Sequence, residues 1–305
     1  MVASIILITA CEDKNADVTG ISLDQTSIAL AKGDSAILKA IVTPKHAISR
    51  EVIWESDNTE VATVDNGIVT AVKAGTATIT VITSDGRYRA ACTVSVNAMT
   101  IITGKSGYVK IYMSGNGSFT IDWGDGTARE THSLQPYTWD WYVSSDYCYT
   151  HAFSGAYPDT VTITGENVTH LYCFDNHLTY LDVSKNTELK ELHCSGNQIV
   201  SLDLSNNINL TNLQCYHNKI KSLDMRQNPV LFELLCSNNQ LTGLFVDSNN
   251  LVRLDCDNNQ LNAAALDALF EMLPDNSMSK LIVINDNPGT NSCNRNIATG
   301  KGWVF

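Results

Sequence analysis

Apolar residues return with a fixed period from Val168 to about Asn287. The repeats align on a cysteine and read VTHLYCFDN, LKELHCSGN, LTNLQCYHN, LFELLCSNN and LVRLDCDNN. These cysteines stand at positions 173, 194, 215, 236 and 256, so the period is 21 residues with one step of 20. A fixed period of this length is typical of stacked repeat architectures. We therefore predict a solenoid of 21-residue coils over residues 168–305, closed by a C-terminal helix and strand cap.

Leucine and cysteine alternate with polar residues inside each repeat, which predicts a short strand. Leu192 and Cys194 then face the interior, and Glu191, His193 and Ser195 face outward. Stacking the repeats aligns the outward residues in three columns. The columns are His170, Glu191, Asn212, Glu233 and Arg253; Tyr172, His193, Gln214, Leu235 and Asp255; and Phe174, Ser195, Tyr216, Ser237 and Asp257. Such a mixed surface is of the kind that binds protein or glycan.

The recurring cysteine could serve metal binding, disulfide formation, catalysis or packing. A zinc site favours C-x2-C clusters, and the chain has none. Stacked strands lie about 4.8 Å apart, so neighbouring thiols come within disulfide range. Five cysteines cannot all pair, however, and a strand interior offers poor disulfide geometry. We predict that the five thiols are reduced, buried packing groups.

Polar residues recur at two further phases of the repeat. An asparagine follows each cysteine by three residues, and a second asparagine series and an aspartate series lie between them. We expect the amides to bond buried backbone groups and the carboxylates to bond turn amides. The three series are Asn176, Asn197, Asn218, Asn239 and Asn259; Asn186, Asn207, Asn228 and Asn249; and Asp182, Asp203 and Asp224.

The last repeats differ from the others. Asn262 is placed to cap a helix over Ala263–Leu273, which Pro274 closes. Leu281–Asn287 then predicts a last strand, with Ile284 in the cysteine position. Both features suit the cap that a stacked repeat needs at its end.

Residues 18–97 alternate apolar and polar positions between turn signals, which predicts a β-sandwich of short strands. The predicted strands are Val18–Leu23, Ala36–Val42, Val52–Ser56, Val61–Val64, Ile68–Val72, Thr76–Ile82 and Ala90–Val96. We expect Trp54 and Cys92 to lie in the core of this sandwich. The sequences of Val52–Asp57 (VIWESD) and Gly75–Ile79 (GTATI) resemble those of the bacterial immunoglobulin-like domain, group 2. The resemblance implies a spacer or adhesive stalk.

Residues 98–167 carry IDWGDGT at Ile121–Thr127 and YTHAF at Tyr149–Phe153. The pair resembles the polycystic-kidney-disease-type module, which implies a second β-sandwich. Asp122 and Asp125 could bind Ca²⁺ together with carbonyl groups, but two carboxylates are too few ligands. We therefore predict no metal and no cofactor.

An aromatic-rich segment lies within this module at residues 137–149, where Trp139 and Trp141 are the largest side chains. It could form a pair of strands that bury alternate rings. It could equally form an exposed aromatic loop, because Trp and Tyr dominate binding hot spots and sugar-stacking platforms. The sequence leaves both alternatives open.

The net charge and the N-terminal sequence bear on which partners the protein binds and where in the cell it is located. The 305 residues carry a formal net charge of −12, which disfavours nucleic-acid binding. No apolar run reaches the ~18 residues that a membrane span needs. MVASIILITAC resembles a lipoprotein lipobox, which implies that Cys11 is acylated and that residues 1–17 are a signal and tether. We expect an exported lipoprotein of the outer membrane or cell surface, held at the membrane only by that lipid.

The outward columns could serve catalysis, metal binding or the recognition of a partner. His193, Glu191 and Ser195 are neighbours, but an open strand face offers no dry catalytic pocket, so we predict no enzyme. A metal site at His170, Glu191 and His193 is likewise disfavoured. The repeats resemble the nested bacterial leucine-rich repeats of internalin-like adhesins, which implies recognition of a host or microbial surface protein.

The predicted ligand-binding residues are His170, Tyr172, Phe174, Glu191, His193, Gln214, Tyr216, Glu233, Arg253, Trp139 and Trp141. One alternative is a glycan-binding component of a surface nutrient-uptake system, acting through residues 137–149. The other is a purely architectural surface protein.

Overall fold

The computed structural model describes residues 16–31, 33–73, 75–97, 99–104, 107–138, 147–153, 159–165, 167–275 and 279–305. The predictions for Cys11, Trp139 and Trp141 fall outside these residues. Internal contacts divide the chain into two compact units, and the boundary along the chain lies between Val96 and Asn97. Both consist mainly of β-strands, and none of the described helices is long and apolar enough to span a membrane.

The first unit is built from short strands joined by turns, as its alternating sequence predicts. Its strands are β1 (Gly20–Leu23), β2 (Ser27–Ala31), β3 (Ser35–Ile37), β4 (Ala40–Thr43), β5 (Val52–Ser56), β6 (Ala62–Asp65), β7 (Ile68–Ala71), β8 (Gly75–Thr83) and β9 (Arg89–Asn97). They form antiparallel sheets with the orders β2-β9-β8-β5, β3-β7-β6 and β1-β4. The core between them includes the fully buried Cys92, as predicted, whereas Trp54 is only partly buried against it.

Two strands of this unit differ from the prediction. The single strand predicted at Ala36–Val42 is divided into β3 and β4, which pair in different sheets. The change of sheet occurs where the backbone N–H of Leu38 bonds Gly67 and that of Lys39 bonds the Asp24 carboxylate. Strand β2 was not predicted, and it pairs with β9. Alternation alone shows which residues are extended, and it does not show which partner each segment chooses.

The second unit begins with antiparallel strands. These are β10 (Met99–Thr103), β11 (Gly107–Gly115), β12 (Ser118–Asp122), β13 (Glu130–Ser133), β14 (Cys148–Phe153) and β15 (Asp159–Gly165). Their inward residues include the fully buried Trp123, Ile121 and Ile111.

The rest of the second unit contains the repeats. Its elements are β16 (Val168–Tyr172), β17 (Leu178–Asp182), β18 (Glu191–His193), β19 (Asn212–Gln214), β20 (Ser222–Met225), β21 (Glu233–Leu235), β22 (Gly243–Val246), β23 (Arg253–Asp255), α1 (Ala263–Met272), β24 (Lys280–Val283), α2 (Asn296–Gly300) and β25 (Trp303–Val304). Strands β16, β18, β19, β21, β23 and β24 pair in parallel, and we call them the parallel ladder. Its register places His170, Glu191 and Asn212 side by side, as the column alignment predicts.

The two larger sheets of the second unit run from its antiparallel strands into the repeats, and β20 and β22 form a separate parallel pair. Strand β11 pairs with β16, so that β14 and β11 precede the parallel ladder in one sheet, and β10 pairs with β17 in the other. The side chain of Asn176 clamps β11, because it accepts from the Lys110 N–H (3.0 Å) and donates to the Lys110 carbonyl (2.6 Å). The preceding strands thus cover the edge of the first repeat, and residue 167 is not a break between compact units.

The first asparagine series joins each repeat to its neighbour. The Asn197 amide group donates to the carbonyls of Cys173 (3.0 Å) and Cys194 (2.9 Å). Its oxygen accepts from the N–H groups of Asn176 and Leu178. Asn218, Asn239, Asn259 and Asn287 make equivalent bonds one repeat further on each time. These bonds confirm the predicted role of the series, and they satisfy backbone groups that would otherwise be buried without partners.

The second series holds only in part. Asn207 and Asn228 are fully buried and bond carbonyls of the preceding repeat, as predicted. The prediction for Asn249 is wrong, because this residue is exposed and the buried Ser248 takes its place. The Ser248 hydroxyl donates to the carbonyls of Pro229 and Leu231. The repeat between Cys236 and Cys256 has 20 residues, so the polar position falls one residue earlier.

The aspartate series has the predicted role. The carboxylates accept from N–H groups two residues further along the chain, at 2.9–3.1 Å. The residues are Asp182, Asp203 and Asp224, with Ser184, Ser205 and Arg226 as their donors.

The five cysteines of the repeats are free and fully buried, which confirms the packing prediction. Burial raises the pKa of each thiol, in Cys194 to about 12. A thiol in this state is protonated at neutral pH and is a poor nucleophile. The fixed cysteine phase is therefore explained by a small apolar group in a narrow interior.

The C-terminal cap combines predicted and unpredicted parts. The Asn262 side chain caps α1 by accepting from the Ala265 N–H (2.9 Å), as expected. Ile284 is buried in the cysteine position. Strand β24 is not the last, however, because β25 pairs beyond it through the buried Trp303. The Trp303 indole N–H reaches the Pro274 carbonyl at 3.1 Å, a partner that is remote in sequence and that no local pattern predicts.

The replacement Asn218→Ala should lower the free energy of unfolding by about 2–3 kcal/mol, because it leaves the Ile199 N–H and several carbonyls buried without a partner. Urea unfolding followed by circular dichroism measures the change. The control Asn209→Ala removes an exposed amide with one bond to Thr187 and should cost less than about 0.5 kcal/mol. Equal losses in the two variants would contradict the assigned role.

The five buried thiols should not react with a thiol reagent while the chain is folded, because each is inaccessible and protonated. Mass spectrometry after labelling in buffer should find modification at the half-buried Cys148 and Cys293 before any of the five. All five should react once urea unfolds the second unit. Labelling of Cys194 or Cys215 in the native protein would show that the interior opens.

Candidate recognition surface

The outward face of the parallel ladder holds the predicted columns in register. Neighbouring positions of a column lie about 4.8 Å apart, because each repeat contributes one strand. The charged residues among the columns are four carboxylates and one guanidinium, namely Glu191, Glu233, Asp255, Asp257 and Arg253. The guanidinium is already bonded to the Glu233 carboxylate at 2.8 Å. The face is therefore acidic overall.

The expectation that His170 and Tyr172 face solvent is wrong, since each is only 7% exposed. Tyr137 stacks on the His170 ring with centroids 4.1 Å apart. Tyr147 and Tyr112 pack against Tyr172. Because β11 extends the sheet beyond β16, aromatic residues from the preceding strands cover this end of the ladder.

Polar bonds fix the covered end. The His170 Nδ1 atom lies 3.1 Å from the Ser114 hydroxyl and 2.9 Å from the Thr169 hydroxyl. The Tyr172 hydroxyl donates to the Glu191 carboxylate at 2.8 Å. Burial, and to a lesser degree the charge of Lys190, lowers the pKa of His170 to about 4, whereas burial raises the pKa of Glu191. His170 is therefore neutral at pH 7.

His193 lies at the border of the covered end. Its ring stacks on Tyr172 with centroids 4.0 Å apart, and the residue is half-buried. Burial lowers the pKa of His193 to about 4, so the imidazole is neutral and adds no charge to the face.

The accessible part of the face begins with Phe174, which is 36% exposed and stacks on Tyr112. Gln214, Tyr216 and Glu233 are half-buried, and Arg253 is exposed. Ser195 is predicted to face outward, but it is only 6% exposed.

The WGDGT turn uses its carboxylates within the protein. Asp122 bonds Arg129 Nε at 2.8 Å, and Asp125 bonds His151 Nε2 at 2.7 Å. The bonds from His151 and Thr127 lower the pKa of Asp125 to about 2. The two carboxylates thus stabilise the turn and bond it to Arg129 and to His151 on β14.

Across the part of the chain that the structure describes, no three His, Cys, Asp or Glu side chains are grouped to hold a metal ion. This includes the set His170, Glu191 and His193, in which His170 Nε2 lies 3.9 Å from Glu191.

The aromatic segment is described only at its ends. Tyr147 and Tyr149 are buried, and the Tyr147 hydroxyl bonds the Pro136 carbonyl at 3.0 Å. Tyr112 and Tyr137 shape the site; Tyr112 is absent from the prediction, and Tyr137 enters it only as part of the aromatic segment 137–149. Tyr112 could have been suspected from the alternating GYVKIYMSG sequence, but its place beside Tyr172 depends on long-range pairing.

Comparison with known proteins identifies one segment of the chain. Residues 17–94 match the family model described as Bacterial Ig-like domain (group 2). The match covers 78 of the 305 residues, about a quarter of the chain, and it confirms the expected resemblance of that segment. The first unit therefore contains a bacterial Ig-like domain.

Curated relatives share similarly short regions with this chain. An uncharacterized protein of Clostridium acetobutylicum is 41% identical over 83 residues, which cover 27% of this chain and 9% of that protein. An alpha-L-arabinofuranosidase of Bifidobacterium longum subsp. longum is 42% identical over 83 residues, or 27% and 8%. A kappa-carrageenase of Pseudoalteromonas carrageenovora is 37% identical over 89 residues, or 29% and 22%.

The first two relatives are thus covered over less than a tenth of their length. The similarity to the two glycoside hydrolases lies in short Ig-like regions, and that domain is itself non-catalytic.

The covered histidine should make stability depend on pH. Because His170 is harder to protonate in the folded chain than in the unfolded chain, its contribution is complete above pH ~6.5 and is lost as the pH falls towards 4. The variant His170→Gln should therefore lose about 2 kcal/mol less than the parent between about pH 7 and pH 4.5 in urea unfolding. The control Asn209→Ala, which removes an exposed amide and no titratable group, should keep the parent's pH dependence. Identical pH profiles for all three proteins would contradict the burial of His170.

Proposed function

We propose that the chain is a non-catalytic cell-surface recognition protein that binds a partner protein through the outward face of the parallel ladder. In this proposal the repeats are a leucine-rich-repeat solenoid, and the preceding strands are a polycystic-kidney-disease-like module that caps it. The observation that supports it most directly is the alignment of polar, aromatic and charged side chains in columns on a rigid sheet.

Rigidity favours recognition at such a face. Buried asparagine bonds fix each repeat against the next, so the outward side chains are held in place before a partner arrives. Preorganised side chains lose less conformational entropy on binding. Phe174 and Tyr216 supply accessible aromatic groups of the kind that anchor protein interfaces.

The Ig-like domain fits the role of a spacer in this proposal. Its relatives carry names as different as an arabinofuranosidase and a carrageenase, which suits an accessory module. A lipid on Cys11 would attach the chain to the outer membrane, and the Ig-like domain would carry the recognition unit away from the surface.

Glycan binding is the second candidate, because two of the relatives are named for carbohydrate-degrading activities. It would place the ligand at the aromatic segment 137–149, in a surface nutrient-uptake system. The described ends of that segment favour packing instead, since Tyr147 is buried and Tyr137 is stacked on His170. The third hypothesis is a purely architectural surface protein that has no specific ligand.

Binding of the full chain to a combined array of surface proteins and oligosaccharides tests these alternatives. We expect a protein ligand whose binding falls at least about tenfold in the double variant Phe174→Ala, Tyr216→Ala, because aromatic anchors dominate interface energies. The double variant Trp139→Ala, Trp141→Ala and the control Tyr180→Ala, which truncates an exposed tyrosine on β17, should bind as the parent does.

A glycan ligand lost only in the Trp139→Ala, Trp141→Ala variant would move the function to the aromatic segment. No ligand of either class would favour the architectural reading.

A further inference from the structure

The third column of the outward face alternates large and small residues. It reads Phe174, Ser195, Tyr216, Ser237 and Asp257 along successive strands. The two serines are only 6% and 7% exposed, so they form the floor between taller neighbours. Residues two repeats apart lie about 10 Å from each other. The column therefore contains two notches, one above each serine.

The first notch is the position of Ser195 between the two aromatic residues of the column. Phe174 precedes it and Tyr216 follows it on the neighbouring strands. Gly196, next to the floor residue, has φ 66°, and a side chain there would overlap the carboxylate of Asp175. The Asp175 carboxylate therefore lies beside Gly196, and it adds a negative charge next to the Ser195 position.

The second notch has one aromatic wall and one acidic wall. Tyr216 lies on one side of Ser237 and Asp257 on the other. The buried Oδ1 atom of Asp257 has no hydrogen-bond partner among the described residues. Burial and the neighbouring Asp255 and Asp286 raise the pKa of the Asp257 carboxyl, although a hydrogen bond from Ser237 partly opposes them. A cation placed beside the carboxyl would relieve an unfavourable charge.

We propose that these two notches receive arginine side chains from a basic segment of the partner protein. The inference rests on the proposed function, since it uses the same face of the ladder. A guanidinium group stacks on aromatic rings and bonds carboxylates in a bidentate manner, which matches the contents of both notches.

The charge of the protein supports a cationic partner. The chain carries a net charge of −12, and in the three columns the only guanidinium is already bonded to Glu233. An acidic face steers basic partners towards it and repels acidic ones. A sugar ring could also stack on Phe174 or Tyr216. A neutral sugar would not offset the repulsion between Asp255 and Asp257, however, whereas the positive charge of an arginine would.

Synthetic peptides test the assignment without knowledge of the natural partner. The probe is an eight-residue glycine–serine peptide with blocked termini that carries two arginines three positions apart. Three residues of the polyproline II conformation span about 9 Å and return both side chains to the same face. Its matched control carries citrulline, which has the shape of arginine without the charge. Titration calorimetry with the full chain at low salt should show that the arginine peptide binds roughly tenfold more tightly.

Two variants and two controls locate the site. Phe174→Ala should weaken binding of the arginine peptide about threefold to tenfold, and Asp257→Asn should do the same. Phe245→Ala and Asp247→Asn remove an exposed ring and an exposed carboxylate outside the columns, and they should leave the affinity unchanged. Circular dichroism checks that all four variants are folded.

Equal affinity for the arginine and citrulline peptides would overturn the assignment, and so would equal losses in the variants and their controls. If the array partner is still lost in the Phe174→Ala, Tyr216→Ala variant, the proposed function stands and only the arginine chemistry fails. If no protein partner depends on these rings either, both proposals fail. An oligosaccharide that binds the same face and competes with the peptide would replace the arginine assignment with a glycan site.

Discussion

The second unit depends on one interaction, the hydrogen bonds of a buried asparagine amide in each repeat. A chain that turns within so short a repeat leaves N–H and carbonyl groups inside, where each would destabilise the fold without a partner. The Asn218 amide bonds carbonyls of its own repeat and of the preceding one at the same time. One side chain therefore closes the turn and sets the distance and register between neighbouring strands. The interior that results is apolar, and at the cysteine phase it holds five buried thiols and, in the last repeat, Ile284.

The same register determines which side chains a partner can meet. Extension of the sheet by β11 covers His170 and Tyr172 with aromatic residues, so the accessible face begins at Phe174. The imidazoles of the covered end are neutral, because burial keeps them unprotonated. The uncovered end carries carboxylates. A division of one sheet into a packed aromatic end and an open acidic end thus follows from where the antiparallel strands join the repeats.

Local repetition explains why much of this architecture could be predicted. The strand positions, the buried cysteines and the asparagine bonds all repeat with the period, and each repeat supports the interpretation of the others. Prediction failed where a partner comes from elsewhere in the chain. Tyr137 on His170 and β25 beside β24 depend on long-range pairing, and the shift from Asn249 to Ser248 depends on one missing residue. For the same reason the predicted face included His170 and Tyr172, which aromatic residues from elsewhere in the chain cover.

The clamp between Asn176 and Lys110 makes the first repeat different in kind from the internal ones. An internal asparagine bonds a repeat that resembles its own, so a whole internal repeat could be duplicated or deleted in evolution and the remaining asparagines would still find carbonyls of the right geometry. The first repeat has no such freedom, because its asparagine fits only β11. We therefore expect repeats to be gained or lost in the middle of the ladder. Each gain or loss there would also change the number of proposed notches.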